Sequence, residues 1–322
     1  MSDFDTFKDR MVVITGFSKS GTTLLQSLLD YHPELVVYPE EFKYFKRVFI
    51  QGYCSLEEGK EEVMKLPDQF TLGQSGGAAA ERKRDYSDLD LKFFKKRLEE
   101  LVGKAKTHKE VFLAYIEAFY ETLRKSDRFP KGVKKAWVIK RPSDYYLFHR
   151  YKEWFNPDNV IWIHLRRDPY DNFGSIHLSK TINRSGKWTP RHFAPDWLLS
   201  ELFSRKLKKE FKNFHIVNYE DLAGQPEETM RRIAGVIGID FNESLLQPTL
   251  NGHQWDGNSA HGTVFVGVSN DSVGKASRRL ADEVRLLAKK ELRSFRNKVV
   301  AWWRYLRMMF HRHFPGKRNK FY

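Results

Sequence analysis

The sequence predicts an α/β fold: a P-loop-like parallel sheet flanked by helices, in a single domain of 322 residues with a mostly helical insertion. Three observations lead there. Short apolar runs rich in β-branched residues recur along the chain, each too brief for a helix. Helical patterns separate them, which calls for crossover connections and therefore parallel pairing. Two of the runs end in a turn carrying glycine or arginine that leads straight into a helix, the arrangement by which open α/β sheets hold ligands at their carboxyl ends.

The first run, Met11 to Thr15, meets a tight loop and then a helix with Leu24, Leu25, Leu28 and Leu29 on one face. The loop reads Gly16-Phe17-Ser18-Lys19-Ser20-Gly21-Thr22-Thr23. Strand, loop and helix in this order aim backbone N–H groups and the positive end of a helix dipole at a phosphate. The two glycines stand five apart, as in the nucleotide-binding GxxxxGK[ST] loop, but Thr22 occupies the lysine position and the lysine lies inside the loop, at Lys19. A generic glycine turn accounts for two glycines, but not for Lys-Ser-Gly-Thr-Thr after an apolar strand.

A second run, Leu35 to Tyr38, leads to Pro39-Glu40-Glu41-Phe42-Lys43-Tyr44-Phe45. Residues 46–130 then read as a mostly helical, polar insertion, with a loose stretch from Gly73 to Ser87. Within it, Lys106-Thr107-His108 is best read as the start of a helix, with Thr107 as N-cap and Glu110 at N3 of a capping box. A third run, Ala136 to Ile139, ends at Lys140-Arg141-Pro142. A fourth, Val160 to Leu165, ends at Arg166-Arg167-Asp168-Pro169 before a helix carrying Ser175. An NTPase strand at this place ends in an acid that holds Mg²⁺. Two arginines there suit a fixed anion instead, with arginine offering a planar fork to a phosphate. A P-loop kinase is therefore the weaker reading. A noncatalytic basic binding protein accounts for the charge but leaves both spaced phosphate motifs without a purpose.

These motifs resemble those of sulfotransferases that use 3′-phosphoadenosine-5′-phosphosulfate (PAPS). The resemblance covers residues 10–45, 136–180 and 213–275. It lies nearer the tyrosylprotein and polysaccharide branches, through Leu29, Asp30, His32 and Pro33, than the cytosolic phenol type. It implies that Lys19, Ser20, Gly21, Thr22 and Thr23 hold the 5′-phosphosulfate, and that Arg167 and Ser175, eight residues apart, hold the 3′-phosphate. Lys19 and Lys140 become the cations at the leaving oxygen. Tyr219, in the segment Val217 to Leu222, packs on the nucleotide or in the core. The segments Trp255 to Ser259 and Ser272 to Lys275 resemble a closing carboxy-terminal loop, with Ser272 and Lys275 touching the donor. The base is a glutamate eight or nine residues after the His-Pro histidine, Glu40 by the tyrosylprotein pattern and Glu41 by the heparan-type pattern. No metal is required, and the product is 3′-phosphoadenosine-5′-phosphate (PAP).

The bulk properties bound the partners. The formal net charge of +15, with the branch resembled, favours an anionic glycan or glycolipid bearing the acceptor hydroxyl; the spacing from His32 to the glutamates makes a peptide tyrosine the alternative, and no nucleic acid is expected. The basic segment 295–322 places Val299, Trp302, Trp303, Leu306, Met309 and Phe310 on one helical face, suited to packing on the core or to peripheral membrane contact. The loop Thr181 to Pro195 joins the insertion in shaping the acceptor pocket. One cysteine, Cys54, excludes an intrachain disulfide and a thiolate metal cluster. With no secretory segment and no long apolar run, a cytoplasmic location is expected.

Overall fold

The computed structural model describes residues 3–42, 44–45, 48, 55–70, 85–179, 182–183, 185–255, 257 and 267–311. The apolar runs become five parallel strands: β1 (Met11–Gly16), β2 (Leu35–Val37), β3 (Ala136–Lys140), β4 (Val160–Arg166) and β5 (Phe214–Asn218). They lie in the order β2-β3-β1-β4-β5. The register sets Ile14 beside Lys140, Gly16 beside Leu165 and Arg166 beside Asn218. The carboxyl ends of β1, β3 and β4 therefore come level, which places the glycine loop and the Arg166-Arg167 turn at the same end of the sheet.

Both faces of the sheet are covered, so its strands are apolar throughout rather than alternating. Val12, Ile14, Val138, Ile161 and Ile163 point to a face covered by α1 (Thr22–Leu29), through Leu25, Leu28 and Leu29, and by a later helix through Met230, Ile233 and Ile237. Met11, Val13, Trp137, Ile139 and Trp162 point to the other face, which is filled largely by aromatic rings. Burying a side chain of this size contributes roughly 1.5–3 kcal/mol. The Trp137 indole keeps a polar partner, donating to the Lys8 carbonyl at 2.8 Å.

Between β2 and β3 stand α2 (Leu56–Met64), α3 (Leu91–Lys104) and α4 (His108–Leu123). Thr107 caps α4, accepting from the Glu110 amide at 3.2 Å, while Glu110 reaches the Lys106 amide rather than that of the cap residue. His108 meets the Tyr44 hydroxyl at 2.8 Å. The Lys-Thr-His motif thus starts a helix, as its capping pattern indicates. The expectation of loose chain from Gly73 to Ser87 fails at its far end. Tyr86 is buried and donates to Glu40, while residues 73–84 lie outside the described residues.

After β3 come α5 (Phe148–Trp154), then β4, α6 (Pro169–His177) and α7 (Pro190–Glu210). The loop expected to run to Pro195 ends at Thr189. Pro190 takes the first helical position, where its missing N–H and fixed φ cost nothing, and Pro195 is carried within the helix. After β5 come α8 (Tyr219–Gly224), α9 (Pro226–Ile237), a small hairpin of β6 (Thr249–Leu250) and β7 (His253–Gln254), and α10 (Lys275–Arg278). The chain then forms α11 (Asp282–Arg293) and α12 (Phe295–His311). Asp30 and His32 serve as ties. Asp30 accepts from Thr249 at 2.9 Å and from the Gly252 amide at 3.0 Å, and His32 bonds the Asp240 carbonyl at 3.0 Å. Among the described residues, no helix is long and apolar enough to cross a membrane.

Candidate active site

The glycine loop is built by close approach. A Cβ on Gly16 would lie 2.5 Å from the Leu165 carbonyl oxygen of the neighbouring strand, so β1 runs into the loop without room for a side chain. Gly21 has a φ of 97°, and a Cβ there would meet the Tyr219 ring at 2.4 Å. Lys19, between them, holds a left-handed φ of 63°. Such a conformation costs a non-glycine residue about 1–2 kcal/mol, so the surroundings must enforce it.

Helix α6 does so. The Asn172 amide donates to the Ser18 carbonyl at 2.9 Å, and Arg167 donates to the Lys19 carbonyl at 3.2 Å. The Ser20 amide closes the turn onto the Phe17 carbonyl at 3.1 Å. Three consecutive loop carbonyls are thereby taken. In a trans peptide the N–H points opposite to its C=O, so the Lys19 amide faces away from α6. Helix α1 then begins at Gly21 with no side chain capping it, and its first N–H groups are left to other acceptors.

Two observations mark the loop as a ligand cradle. The Ser20 hydroxyl is fully buried and has no hydrogen-bond partner among the described residues. A buried hydroxyl without a partner costs about 1–3 kcal/mol, which an anion's oxygen would remove. Beside it, the Lys140 ammonium donates to the Thr23 hydroxyl at 3.1 Å, so the end of β3 brings a cation to the first turn of α1. Loop amides, the Ser20 and Thr23 hydroxyls and the Lys140 ammonium form a donor set suited to an anion.

Arg167 is engaged from several sides. Its guanidinium forks onto Asp171 one helical turn ahead, with the Nε contact at 3.0 Å, and lies 4.4 Å from the centre of the Tyr219 ring. Asp171, nearly fully buried, also accepts from the Ala276 and Ser277 amides at 2.9 and 3.1 Å. One carboxylate thus ties the arginine to the start of α10, one residue from Lys275. The approach is so close that a Cβ on Gly174 would lie 2.7 Å from the Ala276 carbonyl. Ser175 stands in the same helix, partly exposed. Ser272 lies in the turn before Gly274, and Ser259 falls outside the described residues. Tyr219 is buried between Gly21 and Arg167, which gives it a packing role in the loop itself.

The acidic pair lies just past β2. The Tyr38 amide bonds the Val138 carbonyl, and Gln26 of α1 donates to the Tyr38 carbonyl at 2.6 Å, so the chain leaves β2 against α1. Glu40 is buried and accepts from the Tyr86 hydroxyl at 2.6 Å. Glu41 is partly exposed, and its charge acts on Arg141, which burial disfavours but which Asp144 and Glu41 help keep protonated. Arg141 and Asp144 form a buried bidentate pair at 3.0 and 2.9 Å, joined by the Tyr151 hydroxyl at 2.9 Å. Breaking one side of such a pair costs about 3–5 kcal/mol, so this network fixes the turn that carries Lys140.

Sequence reasoning did not single out Asp171, Asn172 or Tyr86. An aspartate four residues after an arginine at a helix start is a visible signal, although Arg167 itself lies before the N-cap, Asp168. Nothing in the sequence pairs residue 86 with residue 40. Among the described residues, no three His, Cys, Asp or Glu side chains are grouped to hold a metal ion.

Comparison with known proteins agrees with this geometry. Residues 11–243 match the model of the Sulfotransferase family. The fold is similar to the sulfotransferase domain of the olefin synthase of Synechococcus PCC 7002, with 17% identity, 89% of this chain and 94% of that one covered, and a TM-score of 0.53. It is also similar to the sulfotransferase domain from the curacin biosynthetic pathway, with 17% identity, coverage of 87% and 96%, and a TM-score of 0.52. No curated protein matches the sequence. The match spans more than half of the chain, and the protein belongs to the sulfotransferase family, the enzymes that move a sulfuryl group from PAPS.

Proposed function

We propose that the protein transfers the sulfuryl group of PAPS to a hydroxyl on an anionic glycan or glycolipid. The observation that carries the donor half is the buried, unpartnered Ser20 hydroxyl in a loop whose carbonyls are already bonded. The acceptor half rests on the net charge of +15 and on the resemblance to the polysaccharide branch.

The roles are those that the family resemblance implies, and the loop geometry supports them. The loop from Lys19 to Thr23 binds the 5′-phosphosulfate, and Arg167 with Ser175 binds the 3′-phosphate. Ser272 and Lys275 close over the donor from the α10 side. Glu41 takes the proton as the acceptor oxygen attacks sulfur. Glu40 is the poorer base, because its carboxylate already accepts from Tyr86 inside an aromatic cluster. As the new S–O bond forms, the bond from sulfur to the bridging phosphate oxygen breaks, and Lys19 and Lys140 stabilise the charge that collects there. Positioning and electrostatics supply most of the rate in such transfers.

Calorimetric titration with PAP in EDTA, with ATP as comparator, tests the donor site. Micromolar or tighter PAP binding with far weaker ATP binding is expected. Binding of ATP alone, and only with Mg²⁺, would overturn PAPS as the donor. For the base, Glu41→Gln is expected to lower turnover by about 10²–10⁴-fold with PAP affinity kept, and Glu40→Gln by much less. The reverse order would move the role to Glu40.

A further inference from the structure

Helix α12 buries one face and leaves another bare. Ala301 and Tyr305 are buried against α7, where Tyr305 meets the Phe203 ring at 4.8 Å. Met308 and Met309 are partly buried on the same side. Arg304 pairs with Asp196 of α7. The helix is thus docked, and the expected face divides: Met309 turns toward the core, while Val299, Trp302, Trp303 and Leu306 do not. Phe295 is 80% exposed, Trp303 58%, and Val299, Trp302 and Leu306 each between 45% and 47%.

These five side chains fall within an arc of about 100° on a helix that turns 100° per residue. Exposed large apolar residues scattered singly are ordinary, but a contiguous stripe with two tryptophans is not. The borders of the stripe are basic. Arg296 and Arg307 flank it on one side and Lys298 on the other, and the Arg307 guanidinium lies 5.3 Å from the centre of the Trp303 ring. From residue 295 to the last residue, 322, the sequence contains eight Lys and Arg and no Asp or Glu.

We infer that this face of α12 docks the protein on an anionic lipid surface. The chemistry of the stripe selects that occupant. Tryptophan prefers the boundary between headgroups and acyl chains, where its ring is dry and its N–H is wet. An apolar helical face bordered only by cations lies in the plane of such an interface and gains from each negative headgroup nearby. A second copy of the chain would set these cations against each other. The attachment also has a bearing on the site: α7 holds α12 at Asp196 and touches the glycine loop three residues earlier, where the Phe193 ring packs on Phe17 at 5.6 Å.

Vesicle co-sedimentation tests the inference on the full chain. Vesicles of phosphatidylcholine mixed with phosphatidylglycerol are expected to bind the protein at least tenfold more tightly than phosphatidylcholine alone, with a blue shift of tryptophan emission. The double variant Trp302→Ser, Trp303→Ser is expected to lose at least tenfold of that affinity while its PAP titration and thermal midpoint stay unchanged. Those two controls separate loss of docking from loss of fold or of the donor site. Three outcomes would overturn the inference: equal binding to both kinds of vesicle, equal binding by the variant, or a concentration-dependent dimer that the same substitutions dissolve.

Discussion

Lys19 adopts a left-handed backbone that glycine would take at no cost, and it does so next to Ser20, whose buried hydroxyl meets no partner. Both are unfavourable in the protein alone, and both become useful around an anion. Ser20→Ala removes the unpartnered hydroxyl without removing a hydrogen bond made within the chain. The variant is expected to melt at the same temperature or slightly higher, while PAP binding weakens by about 1–1.5 kcal/mol, or roughly tenfold. Calorimetry beside a melting curve checks both, and an unchanged dissociation constant would remove Ser20 from the cradle. Arg167→Ala is expected to weaken PAP binding by about 1.5–3 kcal/mol, the scale of a charge-assisted contact. Stability is expected to fall as well, by up to about 3–5 kcal/mol, because Asp171 keeps the Ala276 and Ser277 amides but loses its buried cation, so the titration is read on protein shown to be folded. PAP binding at wild-type strength would free the 3′-phosphate from this arginine.

At the scale of elements, the site is a junction of segments that meet with little slack. Helix α6 carries Arg167 at its approach, Asn172 and Asp171 in its first turns, and Gly174 where α10 crosses it. Gly174→Ala would drive a methyl group against the Ala276 carbonyl, a backbone atom that cannot rotate away. A destabilisation of about 1–3 kcal/mol is expected, as for overpacking elsewhere. Since α10 must shift and take the Asp171 contacts with it, PAP affinity should fall as well. A denaturant midpoint and a PAP titration measured together test this, and loss of stability with full affinity would show that α10 does not take part in binding. The insertion contributes at the same scale. Tyr86 crosses from the segment between β2 and β3 to Glu40, so the insertion holds one member of the acidic pair.

Across the whole molecule, two buried titrating groups act in opposite directions. Burial raises the Asp30 carboxyl from 3.8 to about 6, against the bonds it accepts from Gly252 and Thr249. The folded state therefore keeps a proton that the unfolded chain releases, and this group's contribution to stability falls as pH rises from about 4 to 6, by about 3 kcal/mol in all. Burial, helped by Arg166, lowers the His164 imidazole from 6.5 to about 3. Here the unfolded chain takes the proton first, so stability falls as pH drops from about 6.5 toward 3. Between about pH 4 and 6 the two slopes oppose each other. Asp30→Asn keeps an oxygen for Thr249 and Gly252 but removes one slope. The loss of stability on acidification is then expected to steepen in that window, as read from denaturant midpoints at stepped pH. An unchanged slope would mean that Asp30 stays ionised in the folded protein.

The sequence by itself determined the strand–loop–helix unit at 11–29 and the strand, turn and helix from 160 to 177, while the donor class came with the family resemblance that these segments carry. Each is a local pattern: strand period, glycine spacing and an arginine at a strand end are written within a few residues and are read without knowing what packs on them. The capping of α4 was legible for the same reason. The tertiary structure alone decided that Asp171 binds the amides of residues 276 and 277, that Tyr86 reaches Glu40, and that α12 hides Tyr305 while exposing Trp303. Those contacts join residues far apart in the chain, or choose among several apolar faces of one helix. The choice is made by which surfaces fit when the whole core closes, and no short window of sequence contains that information.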